Sequence, residues 1–181
     1  MITIRKAKDD GDLRGILALQ KRYLKSPERE EEDWSDGFVT LQHTPAILRK
    51  MMGRSPQIIA VAAGEVVGYS LGLRPEMASM FPLLDPMMEA FEDIVIDGKK
   101  LTDHSYIIGG QCCIEEEYRG KGLLKKLYEG TREAVDCDFC VTEIARSNPR
   151  SLNAHLKIGF ERVYEYLGEK NMWDIVLWDW R

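Results

Sequence analysis

The sequence predicts an α/β fold, a single mixed sheet with helices on both of its faces. Three observations carry this. Short apolar runs of strand character recur along all 181 residues, and segments with helical apolar spacing separate several of them. The two kinds of segment are interleaved with no internal repeat, low-complexity tract or linker, which points to one domain over residues 1–181.

In chain order, residues 1–6 alternate like a strand. Leu13, Ile16, Leu17 and Leu24 then follow helical spacing, with Asp9 or Asp10 placed to cap the start. A polar stretch, 26–37, holds Glu28, Glu30, Glu31, Glu32, Asp33 and Asp36 around Trp34. Thr44 and Pro45 open a second, short helix as cap and first residue, and Gly53 ends it. Residues 57–63 and 66–74 are apolar runs parted by Gly64 and Glu65, the pattern of a β-hairpin. The segment 75–104 is long for a loop and rich in methionine and phenylalanine. It predicts a helical insert, with Asp85 and Pro86 capping a helix inside it. Residues 105–114 and 139–145 read as strands. Between them, after Gly122, Leu124, Leu127, Tyr128, Thr131 and Val135 fall on one helical face. Asn148 and Pro149 start a further helix, Gly159 closes it, and residues 160–167 and 172–180 finish as a strand pair.

Composition narrows the function classes. An apolar fraction of 44% and a charged fraction of 30% describe a soluble globular chain with a sizeable core. A formal net charge of −5 argues against a nucleic-acid partner. No apolar run approaches membrane-spanning length, and residues 1–6 do not read as a signal peptide. Four cysteines suit a reducing compartment, so a cytoplasmic protein without a membrane partner is expected.

The chemistry-bearing stretch is residues 115–128, where Gly120 and Gly122 flank Lys121 just before a strongly helical run. A strand that turns directly into a helix leaves backbone N–H groups unpaired at the positive end of the helix dipole, where anions bind. Two glycines let a phosphate approach that backbone, and Arg119 and Lys121 add positive charge. A P-loop would need Ser or Thr after its Gly-Lys, and here Gly122 follows Lys121. A dinucleotide fingerprint would need a third glycine where Lys125 stands. A ligand-free glycine turn is the plain structural alternative.

Two segments together resemble the GNAT superfamily of acyl-CoA-dependent N-acyltransferases. Arg119-Gly120-Lys121-Gly122-Leu123-Leu124 is similar to its pyrophosphate loop, Gln/Arg-x-x-Gly-x-Gly/Ala, with Ile114 at the apolar end of the preceding strand. The run from Asn148 to Phe160 resembles the family's Asn-x-x-Ala-x-x-x-Tyr-x-x-x-Gly-Phe segment, with Ser151 at the small-residue position. The chain departs from the family pattern at Leu124, in place of Gly or Ala, and at His155, in place of tyrosine.

The resemblance implies a GNAT-like, mostly antiparallel sheet of about seven strands with a splayed central strand pair. It implies acetyl-CoA as co-substrate, with no metal, and an amine acceptor. Pantetheine would lie between strands 105–114 and 139–145, bound by the backbone of Cys112, Cys113 and Ile114. Arg119, Gly120, Lys121, Gly122, Leu123 and Leu124 would hold the pyrophosphate, and Asn148 and Ser151 would touch the acyl-CoA or orient the splay. His155, at the tyrosine position, would protonate the departing thiolate; a helix histidine serving packing is the alternative. Glu143, a carboxylate inside an apolar strand, is the candidate base, because burial raises a carboxyl pKa; a structural ion pair is the alternative. Gln111 and His104 are weaker candidates. The implied activity is transfer of acetyl to a primary amine on a small molecule or peptide. The rival is a non-catalytic acyl-CoA-binding module in which His155 marks a lost acid.

Cys137 and Cys140 have the spacing of half a zinc site. The adjacent pair Cys112 and Cys113 cannot supply the other half, so structural thiols are expected. In the family, the region holding the acidic stretch helps form the acceptor site. Carboxylates around Trp34 would favour a cationic amine there, and a solvated loop is the alternative. Two roles are open to the methionine-rich 75–104 segment: a roof over the acceptor cleft, or the contact face of a homodimer.

Overall fold

A computed structural model of the chain describes residues 1–25, 38–169 and 171–181. Its elements are β1 (Ile2–Lys6), α1 (Asp10–Tyr23), α2 (Pro45–Met52), β2 (Gln57–Ala62), β3 (Glu65–Leu73), α3 (Asp85–Phe91), β4 (Val95–Ile96), β5 (Lys99–Lys100), β6 (Tyr106–Ile114), α4 (Leu123–Glu133), β7 (Phe139–Ala145), α5 (Pro149–Ile158), β8 (Glu161–Leu167) and β9 (Met172–Asp179). Seven strands form one mixed sheet in the order β1-β2-β3-β6-β7-β9-β8. β1 with β2, β2 with β3, β7 with β9 and β8 with β9 are antiparallel. β6 and β7 run parallel and pair only over Tyr106–Ile108 with residues 139–141. Their ladder stops in mid-strand, which is the expected central splay.

The chain divides into two compact units. Unit 1 comprises residues 1–72 and 110–135. Unit 2 comprises residues 73–109 and 136–181.

In unit 1, Val66 and Val67 are neighbours on a strand and so face opposite ways. Val66 meets α1 at Gly15, where a Cβ would lie 2.5 Å from Val66 Cγ2. Val67 packs with Leu123 and Leu127 of α4, together with Ile58, Ala60 and Ala62 of β2. Helices therefore cover both faces of this unit's strands. The buried face of α4 is Leu123, Leu127, Tyr128 and Thr131. Leu124, expected on that face, is only partly buried, because the stripe begins one residue earlier. Leu127 is wholly buried, and truncating such a leucine to alanine costs about 2–5 kcal/mol. Asp9 caps α1 by accepting the Asp12 amide, and Thr44 caps α2 by accepting the Ile47 amide.

In unit 2, residues 75–104 fold as 3₁₀ turns at Pro75–Met80 and Pro82–Leu84, then α3, then the small β4–β5 ribbon. Met77, Met87 and Phe91 are buried, so these side chains serve the core. Asp85 is the first residue of α3, not its cap, and no side chain caps that helix. The ribbon carries no strong alternation, which is why a helical insert alone was the expectation.

Candidate functional site

In unit 1 the site is built where β6 runs out. The Glu115 amide still pairs with the Val67 carbonyl at 2.9 Å, and a 3₁₀ turn, Glu116–Tyr118, follows. Gly120 and Gly122 then take φ of +72° and +75°, and α4 begins. L residues pay to enter this left-handed region, so the path itself requires glycine. A Cβ at either position would meet no atom within 4 Å, so the space above both is open. Gly122 is the N-cap of α4 and offers no side chain, so the first-turn amides of Leu123, Leu124 and Lys125 go uncapped.

The turn is braced from α1. The Tyr23 hydroxyl donates to Glu115 Oε1 at 2.6 Å and accepts the Glu116 amide at 3.0 Å. Arg22 pairs with the same Glu115 carboxylate. Arg119 donates its Nε to the Ile114 carbonyl at 2.9 Å, and its guanidinium stacks 4.7 Å from the centre of the Tyr23 ring. Arg119 thus staples the turn as well as lending it charge. Lys121 lies 5.5 Å from the centre of the Tyr118 ring. Burial pushes the Cys112 and Cys113 thiols up to about 11 and about 12 respectively, so neither is a ready nucleophile. Gln111 is held as a bridge: it accepts from the Tyr69 hydroxyl at 2.6 Å and donates to the Leu41 carbonyl at 2.8 Å.

In unit 2, β7 carries two polar side chains on opposite faces. Thr142 Oγ1 donates to the Gly109 carbonyl at 2.6 Å, one residue beyond the last β6–β7 ladder pair. It satisfies a carbonyl that the splay would otherwise strand. Glu143 points the other way. It lies opposite Ile175 of β9 and accepts a hydrogen bond from the Tyr166 hydroxyl of β8. Burial raises its carboxyl to about 7, against the opposing effect of the Tyr166 bond.

Asn148 is buried and caps α5: its Oδ1 accepts the Ser151 amide at 3.3 Å. His155 is buried one turn further on, with Nδ1 2.8 Å from the Ser151 carbonyl. A carbonyl only accepts, so Nδ1 carries the proton and neutral Nε2 is a lone pair. Burial holds this imidazole down to about 4, so it is neutral at pH 7. Its ring is edge-on to Phe160, which packs against Trp178. Trp178 pairs with Cys140 on β9 and β7. His155 is therefore associated with the Cys140–Thr142 face, and Glu143 lies on the reverse face. The two candidate catalytic residues are not brought together. His104 bonds through Nε2 to the Ile96 carbonyl at 3.2 Å and packs on Phe139.

Sequence reasoning missed Tyr166, Thr142 and Tyr23. Thr142 could have been noticed as a second polar residue inside an apolar strand. Nothing in the sequence separates Tyr166 or Tyr23 from the other tyrosines. The acidic stretch around Trp34 lies outside the described residues. Among the described residues no cluster of His, Cys, Asp or Glu is arranged to hold a metal, and no helix is long and apolar enough to cross a membrane.

No protein-family model and no curated protein matches the chain. Solved structures do match. A GNAT-family acetyltransferase from Streptococcus agalactiae is similar with a TM-score of 0.67 at 15% identity, covering 99% of this chain and 96% of that one. The yncA protein of Salmonella typhimurium, solved with its cofactor acetyl-CoA, gives 0.64 at 15% identity over 100% and 95%. A chain of the NatC complex, solved bound to Gag peptide and CoA, gives 0.64 at 17% identity over 99% of both chains. The chain has the fold of the GNAT acetyltransferases.

Proposed function

We propose that this chain is an acetyl-CoA-dependent N-acetyltransferase acting on a primary amine. The observation that carries the reading is the bare start of α4: an uncapped helix N-terminus, entered through two glycines at positive φ with open space above them. Such an end suits a pyrophosphate, held by the backbone around Gly120, Lys121, Gly122, Leu123 and Leu124 with charge from Arg119. The backbone of Cys112, Cys113 and Ile114 is the pantetheine contact in this reading. Asn148 and Ser151 shape the start of α5, since the Asn148 side chain is already engaged as its cap.

The amine nitrogen attacks the thioester carbonyl carbon directly; the C–N bond forms and the C–S bond breaks. The raised thiol pKa values of Cys112 and Cys113 favour this route over an acyl-cysteine. The amine's proton passes to Glu143. A carboxyl near 7 is matched to that task at neutral pH, and the rate should rise through about pH 7 to a plateau as Glu143 ionises. The thiolate takes its proton from water, because the neutral tautomer of His155 offers a lone pair at Nε2. Positioning and electrostatics supply most of the acceleration.

One observation favours a second reading. His155, at the position where the resembled family has its proton donor, is neutral and has committed its proton to Ser151. That state also suits an acyl-CoA-binding module without turnover. Calorimetric titration with CoA, paired with thiol release from acetyl-CoA across a panel of amines, separates the two. The enzyme binds and releases thiol with at least one amine. The binding module binds and releases none. Absence of CoA binding sinks both.

A further inference from the structure

Unit 2 holds a device around Glu143 that depends on one irregularity in β8. The β8–β9 register shifts between Arg162 and Tyr164. Arg162 faces Val176, and Tyr164 faces Ile175, so two steps on β8 match one step on β9. Without the extra residue, every β8 side chain beyond it would swap faces. With it, Tyr164 and Tyr166 come to the face that carries Ile175, Trp173 and, across β9, Glu143. Glu165 goes to the reverse face, where Arg146 binds it at 2.5 Å and binds Asp174 at 2.7 Å. The bulge thus parts the ion-pair network from the phenol that reaches Glu143.

We propose that Tyr166 is a positioning residue for Glu143: its hydroxyl, donated across β9 to Oε2, fixes the carboxylate and keeps it ionisable in an apolar setting. The inference rests on the reading in which Glu143 takes the amine proton. Within unit 2 the groups sharing Glu143's face are few. Beside it, β7 offers Val141 and Ala145, and β9 offers Trp173, Ile175 and Leu177, none of them ionisable. At the far end of the same face Asp179, opposite Phe139, pairs with Arg181 at 2.7 Å, and the Arg181 guanidinium lies 4.8 Å from the centre of the Phe139 ring. β8 offers Tyr166, Tyr164, whose hydroxyl is tied to Asp93 at 3.2 Å, and, ahead of the bulge, Glu161 opposite Leu177. The Tyr166 bond is the interaction that opposes the effect of burial at Glu143.

The direction of the effect follows. A hydrogen bond donated to the ionised form favours that form. Tyr166→Phe keeps the ring and removes the donor, so Glu143 should ionise at higher pH. The direct readout is the titration of the Glu143 side-chain carboxyl by carbon-detected NMR on the full chain, assigned with Glu143→Gln. Its midpoint should move upward from about 7 by about one pH unit in Tyr166→Phe. Fluorotyrosine at position 166 donates more strongly, leaves the ring in place and should move the midpoint downward. If Tyr166→Phe fails to fold, the fluorotyrosine protein decides. An unmoved midpoint in the folded variants overturns the proposal. In the enzyme, the acidic limb of the kcat/KM profile should follow the same two shifts. KM for acetyl-CoA should stay put, because the phenol contacts the base and not the cofactor loop. A protein that shows the NMR shifts yet acetylates nothing would retain the Tyr166–Glu143 coupling and lose the enzyme reading. One that turns over with an unmoved midpoint would keep the enzyme and lose Tyr166.

Discussion

α4 and α5 both follow a strand of the central parallel pair, yet they begin in opposite ways. α4 opens through Gly120 and Gly122 in left-handed backbone with no capping side chain. α5 opens behind Asn148, whose side chain accepts the Ser151 amide, with Pro149 as its first residue and no N–H to satisfy there. An Asn cap typically stabilises a protein by about 1 kcal/mol relative to alanine. Forgoing that at α4, and spending two flexible glycines as well, makes sense if something else covers those amides. The difference teaches that one helix start is closed by the chain itself and the other is left bare, as the proposed pyrophosphate site requires.

The largest test bears on the closed side. His155 sits one turn inside α5 and is held neutral, with its pKa lowered to about 4. A group whose folded pKa is depressed stabilises the fold above its unfolded value, near 6.5, and that contribution is lost as pH falls toward 4. The loss is about 3 kcal/mol at pH 4 for His155 alone. His43, buried in unit 1 where Gln20 donates to its Nδ1 at 3.0 Å, is likewise lowered to about 4 and adds a similar loss. Urea melts from pH 7 to pH 4 should therefore be markedly flatter in His155→Phe than in the parent, while kcat at pH 7.5 stays within about threefold. A hundredfold drop in kcat with intact acetyl-CoA binding would return proton donation to His155, since such transfers are worth about 10²–10⁴-fold. α5 would then be chemistry as well as scaffold.

Next in size is the open side. Gly122→Asp places a side chain and a negative charge above the bare amides. Calorimetry should show acetyl-CoA affinity falling at least about tenfold, or 1.4 kcal/mol. Unchanged affinity in a folded variant would mean that the pyrophosphate binds elsewhere.

The contrast between these regions also explains what the sequence could and could not disclose. Turn chemistry is local, so Thr44-Pro45, Gly122, Asn148-Pro149 and Gly159 placed their helix ends correctly. Apolar runs placed all seven strands of the main sheet to within about a residue or two. Leu124 was misassigned because a stripe beginning one residue earlier also keeps helical spacing, and only the partners on β2 and β3 decide between them. β4 and β5, two residues each, leave too short a pattern to read. For the site, glycines announced the α4 turn. The tautomer of His155 depends on which atom lies 2.8 Å from Nδ1, and no spacing encodes that. Tyr166 was invisible for a further reason: it reaches Glu143's face only because of the register shift before Tyr164.

The smallest effect asks whether the closed start is only structural. Asn148→Ala removes the acceptor for the Ser151 amide and leaves that donor without its cap. Peptide and protein precedents put the cost at about 1 kcal/mol of stability. The site is buried, so water replaces the lost acceptor poorly, and the cost should sit at or above that figure rather than below it. Asn148→Asp keeps an acceptor at the same place and adds the negative charge that a helix N-terminus favours, so it should recover most of the loss. If α5's start is closed by the chain alone, acetyl-CoA affinity should stay within about twofold in both variants. Chemical denaturation and calorimetry on the same samples read the two quantities separately. A tenfold loss of affinity in Asn148→Ala, with no matching loss in stability, would show that Asn148 contacts the acyl-CoA. The two helix starts would then share the ligand, and the contrast between them would be one of degree.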